Sequence, residues 1–226
     1  MTELALPLAL ALGFISGFKH AFEPDHVVAI STLLHQENKL SRVLRLGLAW
    51  GAGHTTTLTL SVLIVSSFHW TIPEEWLPYF EIPVALMLFL LGTLALFQTV
   101  QRMLQLRMHT HDGISHLHVG SHPHPHTLLP NRQGWQGYLV GLIHGLAGSG
   151  ALLILVAATL PSTTLSILYA LVFGIGSIIG MGLVTILLAS PLLALKKRPL
   201  FYNTLTGLSG VLSMALGIHI LWAFAH

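Results

Sequence analysis

The chain has 226 residues, 53% of them apolar and 8% charged, with a formal net charge of +2 and a mean hydropathy of +0.75. A soluble domain carries about 25% charged residues, so this chain cannot dress a water-facing surface, and lipid must be its main solvent. The small charge excludes a nucleic-acid footprint, and the absence of cysteine excludes disulfides, iron–sulfur clusters and thiolate metal sites. Against ten basic and eight acidic residues stand fifteen histidines, and that imbalance frames the question of function.

Apolar stretches of bilayer length, about 20 residues, fall at 4–34, 44–67, 80–104, 136–160, 164–190 and 203–225. They predict an all-α polytopic membrane protein of six transmembrane helices. The first is overlong and carries polar residues at 19–26, so it reads as one helix broken at Pro24; Met1-Thr2-Glu3 lacks the positive start of a cleavable leader. Lys39, Arg42 and Arg45 follow span 1, Arg102, Arg107 and Arg132 lie around the 105–134 loop, and Lys196, Lys197 and Arg198 follow span 5. The connections near 68–79 and 161–163 hold no Lys or Arg. This asymmetry puts the loop in the cytoplasm and both termini outside, in what reads as a bacterial inner membrane.

The two halves resemble each other. Gly13-x3-Gly17-x2-His20 has the spacing of Gly137-x3-Gly141-x2-His144, an offset of 124. Gly51-Ala52-Gly53-His54 answers Gly174-Ile175-Gly176-Ser177 at 123, and Leu91-Gly92 answers Leu216-Gly217 at 125. With three spans per half the repeats are inverted, an arrangement typical of secondary transporters whose site lies where broken helices meet. The expected organisation is a first repeat at 1–104, a His-rich loop at 105–134 and a second repeat at 135–226. Small residues that merely pack membrane helices are the competing explanation.

Span 1 contains His20-Ala21-Phe22-Glu23-Pro24-Asp25-His26. An ionisable residue at this depth costs roughly 3 kcal/mol on insertion scales. On a continuous helix His20 and His26 would stand about 240° apart. Pro24 removes the N–H that the His20 carbonyl needs and clashes with it, so a broken turn can aim both imidazoles, the Asp25 carboxylate and a free carbonyl at one point. Imidazoles with a carboxylate suit a borderline divalent metal such as nickel, cobalt or zinc. His54, flanked by Thr55, adds a further nitrogen from span 2. Glu23 reads as a wall residue at the entrance. With Glu23 and Thr55, the second-half residues His144, Ser149 and Ser177 are placed along the pathway or behind the first-half ligands, because spans 4 to 6 hold no Asp or Glu. The bland alternative pairs Asp25 with Lys19 and leaves the histidines as interhelical hydrogen-bonders. His219, alone in span 6, reads as a packing residue.

His109, His111, His116, His118, His122, His124 and His126 crowd the loop, in an extended, unpacked segment able to bind metal as an auxiliary site.

His20-x4-Asp25-His26 resembles the signature of the nickel/cobalt transporter superfamily, and Gly53-His54-Thr55 resembles its second motif. With Gly141-Leu142-Ile143-His144-Gly145-Leu146-Ala147-Gly148-Ser149-Gly150, the chain looks most similar to the short, six-span, urease-accessory-type nickel permeases. The resemblance implies a permease, not an enzyme, with Ni2+ or Co2+ as transported substrate and no permanent cofactor. It implies His20, Asp25, His26 and His54 as ligands, and cytoplasmic nickel chaperones or urease maturation proteins as partners. The superfamily also contains efflux members, so direction stays open. Two other classes compete. An intramembrane serine protease would use Ser149, but Ala147-Gly148-Ser149-Gly150 lacks the first glycine of its nucleophile loop. A haem carrier would use paired histidines and leaves Asp25 without a role.

Overall fold

The computed structural model describes residues 5–35, 37, 39–70, 72–111, 114–119, 132–146 and 149–226. Helix α1 (Ala5–His20) ends in a turn, and α2 (Pro24–Leu34) starts again with proline at its first position. Proline suits that position because its missing N–H would have no helical partner there. The break therefore falls on residues 21–23, and Pro24 opens the second half of the span. The His20 carbonyl, expected to be free, accepts from the Glu23 N–H at 3.0 Å. A tight turn has replaced the lost helical bond.

Then come α3 (Leu40–Phe68), a 3-10 turn at Glu74–Trp76 and α4 (Leu77–Gln105). The second half holds α5 (Arg132–His144), α6 (Ser149–Ala158), α7 (Thr163–Leu195) and α8 (Pro199–Ala225). Ser162 caps α7 by accepting from the Leu165 N–H. Span 4, read from sequence as continuous, is thus broken as well, between His144 and Ser149. Between the halves, β1 (Leu106–His111) pairs antiparallel with β2 (Ile114–Val119), a local departure from an all-helical chain. The register sets His109 opposite His116 and Arg107 opposite His118. His122, His124 and His126 lie outside the described residues.

Among the described residues, four helices are long and apolar enough to cross a membrane: α3, α4, α7 and α8. The halves of the broken spans have 16, 11, 13 and 10 residues, each short of the roughly 20 a bilayer needs. Leu8, Leu60, Leu90, Leu187 and Leu208 are exposed on the outside of the bundle, as lipid-facing residues are. Trp70, Trp76, Tyr79 and Trp222 are exposed as well, amphipathic rings of the kind that gather at a membrane interface.

Helix α3 packs on α7 and α4 on α8, while α1 lies on α7 and α5 on α3. Glycine makes the last two contacts close. A Cβ at Gly17 would overlap the Phe173 carbonyl, and one at Gly141 would overlap the Trp50 carbonyl. Backbones approach this closely only where both helices present small surfaces. The result brings the ends of α1 and α5, and the start of α2, against the middle of α3.

Candidate metal centre

Three helix ends and one helix middle supply the polar residues. His20 closes α1, Asp25 and His26 sit in the first turn of α2, His54 is at mid-α3, and His144 closes α5. The four imidazoles are almost sealed, with 2%, 2%, 0% and 0% exposure for His20, His26, His54 and His144. Helix C-termini carry partial negative charge, so α1 and α5 both turn a cation-favouring end toward this point.

The contacts are specific. His20 Nε2 lies 2.9 Å from His54 Nε2, and His20 Nδ1 lies 3.1 Å from Glu23 Oε2. His26 Nδ1 donates to Asp25 Oδ1 at 3.2 Å, and His144 Nε2 donates to Asp25 Oδ2 at 2.7 Å. His26 stands between its neighbours, ring centroids 4.4 Å from His20 and 4.2 Å from His144. Asp25 therefore pairs with histidines, and Glu23 is no bystander. Each carboxylate holds an imidazole Nδ1, the arrangement in which outer carboxylates orient histidines whose other nitrogen faces a metal.

Several buried atoms have no partner among the described residues: His26 Nε2, His54 Nδ1, His144 Nδ1 and Ser177 Oγ. Such groups are costly unless something else satisfies them. Two sets of donors converge, each with its atoms within 4.8 Å of one another: His20, His26 and His54, and Asp25, His26 and His144. All are nitrogen or carboxylate oxygen, a set suited to borderline divalent ions.

The remaining sequence candidates divide. Thr55 donates to the carbonyls of Gly51 at 2.8 Å and Gly174 at 3.3 Å, which ties α3 to α7 and leaves its hydroxyl no free proton. Ser177 is fully buried, at an offset of 123 from His54. Ser149 opens α6, and its side chain is outside the described residues. His219 is exposed on α8, away from the cluster. Sequence reasoning missed Trp50, which stacks on His26 at 5.7 Å and contacts His144 at 5.6 Å. It also missed Glu81, which shares a cavity with Glu23 and Asp25. Trp50 stands four residues before His54, one helical turn away and on the same face, a signal that could have found it. Glu81 carried none.

No protein-family model and no solved structure matches the chain. It is 33% identical over 225 residues to the urease accessory protein UreH of Bacillus sp. (strain TB-90), covering 98% of this chain and 94% of that protein. It is also 26% and 24% identical to the chloroplast proteins FOR GROWTH AND FERTILITY 1 and 2 of Arabidopsis thaliana, over 92% of this chain and 57% and 55% of theirs. By its near full-length match to the first of these, the chain belongs to the family of the urease accessory protein UreH.

Proposed function

We propose that this protein is a permease that carries Ni2+, with Co2+ as a second cargo, into the cytoplasm. The observation that carries the reading is the cluster of buried His20, His26 and His54 with partly buried Asp25 where broken helices meet in a membrane bundle. Among the described residues, buried His26 and His54 each keep a nitrogen without a partner, which is costly, and a divalent cation offsets that cost. Urease is a nickel enzyme, so the relative's role as a urease accessory protein fits nickel supply and favours uptake. His20, Asp25, His26 and His54 hold the ion. Glu23 orients His20, and His144 joins from the second half. Ser149 and Ser177 line the pathway, and the loop histidines collect released metal for cytoplasmic nickel chaperones or urease maturation proteins.

The architecture we propose is six spans in two inverted three-helix repeats, with termini outside and the loop in the cytoplasm of a bacterial inner membrane. Paired packing supports it. Gly17 against Phe173 and Gly141 against Trp50 are the same contact at offsets of 124 and 123. His20 to Phe173 at 5.5 Å repeats as His144 to Trp50 at 5.6 Å. Gly53 against Tyr138 repeats as Gly176 against Phe14.

The test is flux of radiolabelled nickel into proteoliposomes of known orientation, with and without a proton gradient. Saturable entry from the face bearing the termini supports uptake. Transport only from the loop face would make the protein an exporter, and no flux in either direction would end the reading.

A further inference from the structure

The two convergent donor sets share one residue, His26. The geometry points to two cation stations inside the membrane, one at His20, His26 and His54 and one at Asp25, His26 and His144, occupied alternately and bridged by the His26 ring. The cargo, though not the geometry, rests on the nickel reading above.

Three observations carry this. The two nitrogens of His26 differ: Nδ1 lies 3.2 Å from Asp25 Oδ1, while the buried Nε2 has no partner among the described residues. The ring stands between those of His20 and His144, at 4.4 and 4.2 Å. And each set borders its own cavity. His20 lines one of about 410 Å³ with Lys19 and Glu23, and Asp25 lines another of about 260 Å³ with Glu23 and Glu81. Each station thus has its own opening.

Chemistry then makes the stations exclusive. A neutral imidazole has one lone pair and one N–H, so His26 ligates through Nε2 or through Nδ1, never both. With Nε2 on the ion, Nδ1–H is held by Asp25, which orients the ring. With the ion at the second station, Nδ1 and the Asp25 carboxylate become ligands and the proton sits on Nε2. An ion passing between stations moves by about the width of one ring and leaves His26 while Nδ1 gives up its proton and Nε2 takes one, with no net gain or loss of protons. His144 is then a ligand in its own right.

The experiment counts bound Ni2+ by equilibrium dialysis on the full-length protein in detergent, with the seven loop histidines replaced by Asn. The parent should bind one ion per chain. His54→Ala and His144→Ala should each still bind one ion, about twofold more weakly, because two exclusive stations of similar affinity each supply half of the parent's binding constant and each variant keeps one. The double variant His54→Ala/His144→Ala should bind at least tenfold more weakly than either. Nickel X-ray absorption of His54→Ala should show imidazole together with carboxylate. Two ions per chain in the parent would overturn the sharing of His26. So would a double variant no weaker than His54→Ala alone, or loss of all binding in His54→Ala. Gel filtration confirms folding of each variant, and the double against the singles decides the matter without His26→Ala. Flux is read separately: both single variants should lose at least tenfold. Binding as described in a parent that carries no flux would end the transport reading and leave the two stations standing.

Discussion

The two halves of the chain share a packing scheme and divide the chemistry unequally. In the first half the break after His20 is followed by Asp25 and His26, and the next helix carries His54. At the same offsets the second half has Ser149, Gly150 and Ser177, and only His144 keeps its imidazole. Both breaks nevertheless end a half-helix on histidine, against an aromatic residue 5.5 or 5.6 Å away. The difference teaches that backbone packing and ligand identity answer to separate demands. Glycines at 17 and 141 are needed wherever two helices touch backbone to backbone, whereas costly polar groups are needed once. One site with its donors pooled concentrates the desolvation cost, and a mirror copy would double it.

Substitution at corresponding positions sharpens that comparison. The largest effect is expected in the first half: His20→Ala, Asp25→Asn and His26→Ala should each cut nickel flux by on the order of 100-fold. Ser177→Ala, at the position answering His54, should change flux less than twofold. Liposome flux of matched preparations checks both, and equal losses at His54 and Ser177 would mean that Ser177 holds the ion as His54 does.

Packing should behave in the opposite way. Gly17→Val and Gly141→Val both drive a side chain into a backbone carbonyl, of Phe173 and Trp50, and each should destabilise the fold by about 1–3 kcal/mol. Thermal unfolding in detergent reads this, and a loss at only one of the pair would break the correspondence between the halves.

Deleting residues 109–126 should leave flux within about twofold while lowering the number of nickel ions bound per chain, since an auxiliary metal-binding tract need not lie on the path through the bundle. Abolished flux in a well-expressed deletion would make the loop an obligatory step.

The smallest effect concerns Glu37, in the connection between α2 and α3. Burial pushes its carboxyl above the ordinary value, while Arg42, Lys196 and Arg45 pull the other way. With the folded value above the unfolded one, the folded chain holds more protons in that window. Its stability should therefore fall as pH rises from the ordinary carboxyl value of 4.5 through the raised value. Glu37→Gln removes that slope and keeps the backbone carbonyl to which Lys196 donates. Unfolding temperatures of the two proteins between pH 4.5 and 8 should converge at the acid end and separate toward the alkaline end.

The first half of the site was legible because its signal is chemical: five ionisable residues and a proline within one apolar span have few explanations. His54 was legible from the glycines beside it. The break after His144 was not read, although Gly145, Gly148 and Gly150 punctuate that span, because no proline marks it and its hydropathy is uninterrupted. The bond from His144 to Asp25 spans 119 residues, and no local pattern encodes a contact of that range. Glu23, three residues after His20, lines both cavities beside the cluster and reaches His20 Nδ1. Four helices met the length and hydropathy of a span outright. The two broken ones were legible only as sums of their halves.

The claim at the centre of the account is that unequal halves assemble one buried nitrogen and carboxylate site for the cargo. Nickel K-edge X-ray absorption of the loaded full-length protein, with the loop histidines replaced by Asn, tests it most directly. The account predicts a shell of nitrogen and oxygen with at least two imidazoles, losing imidazole scattering in His26→Ala and unchanged in Ser177→Ala. A shell of water oxygens without imidazole, or one indifferent to His26, would contradict it.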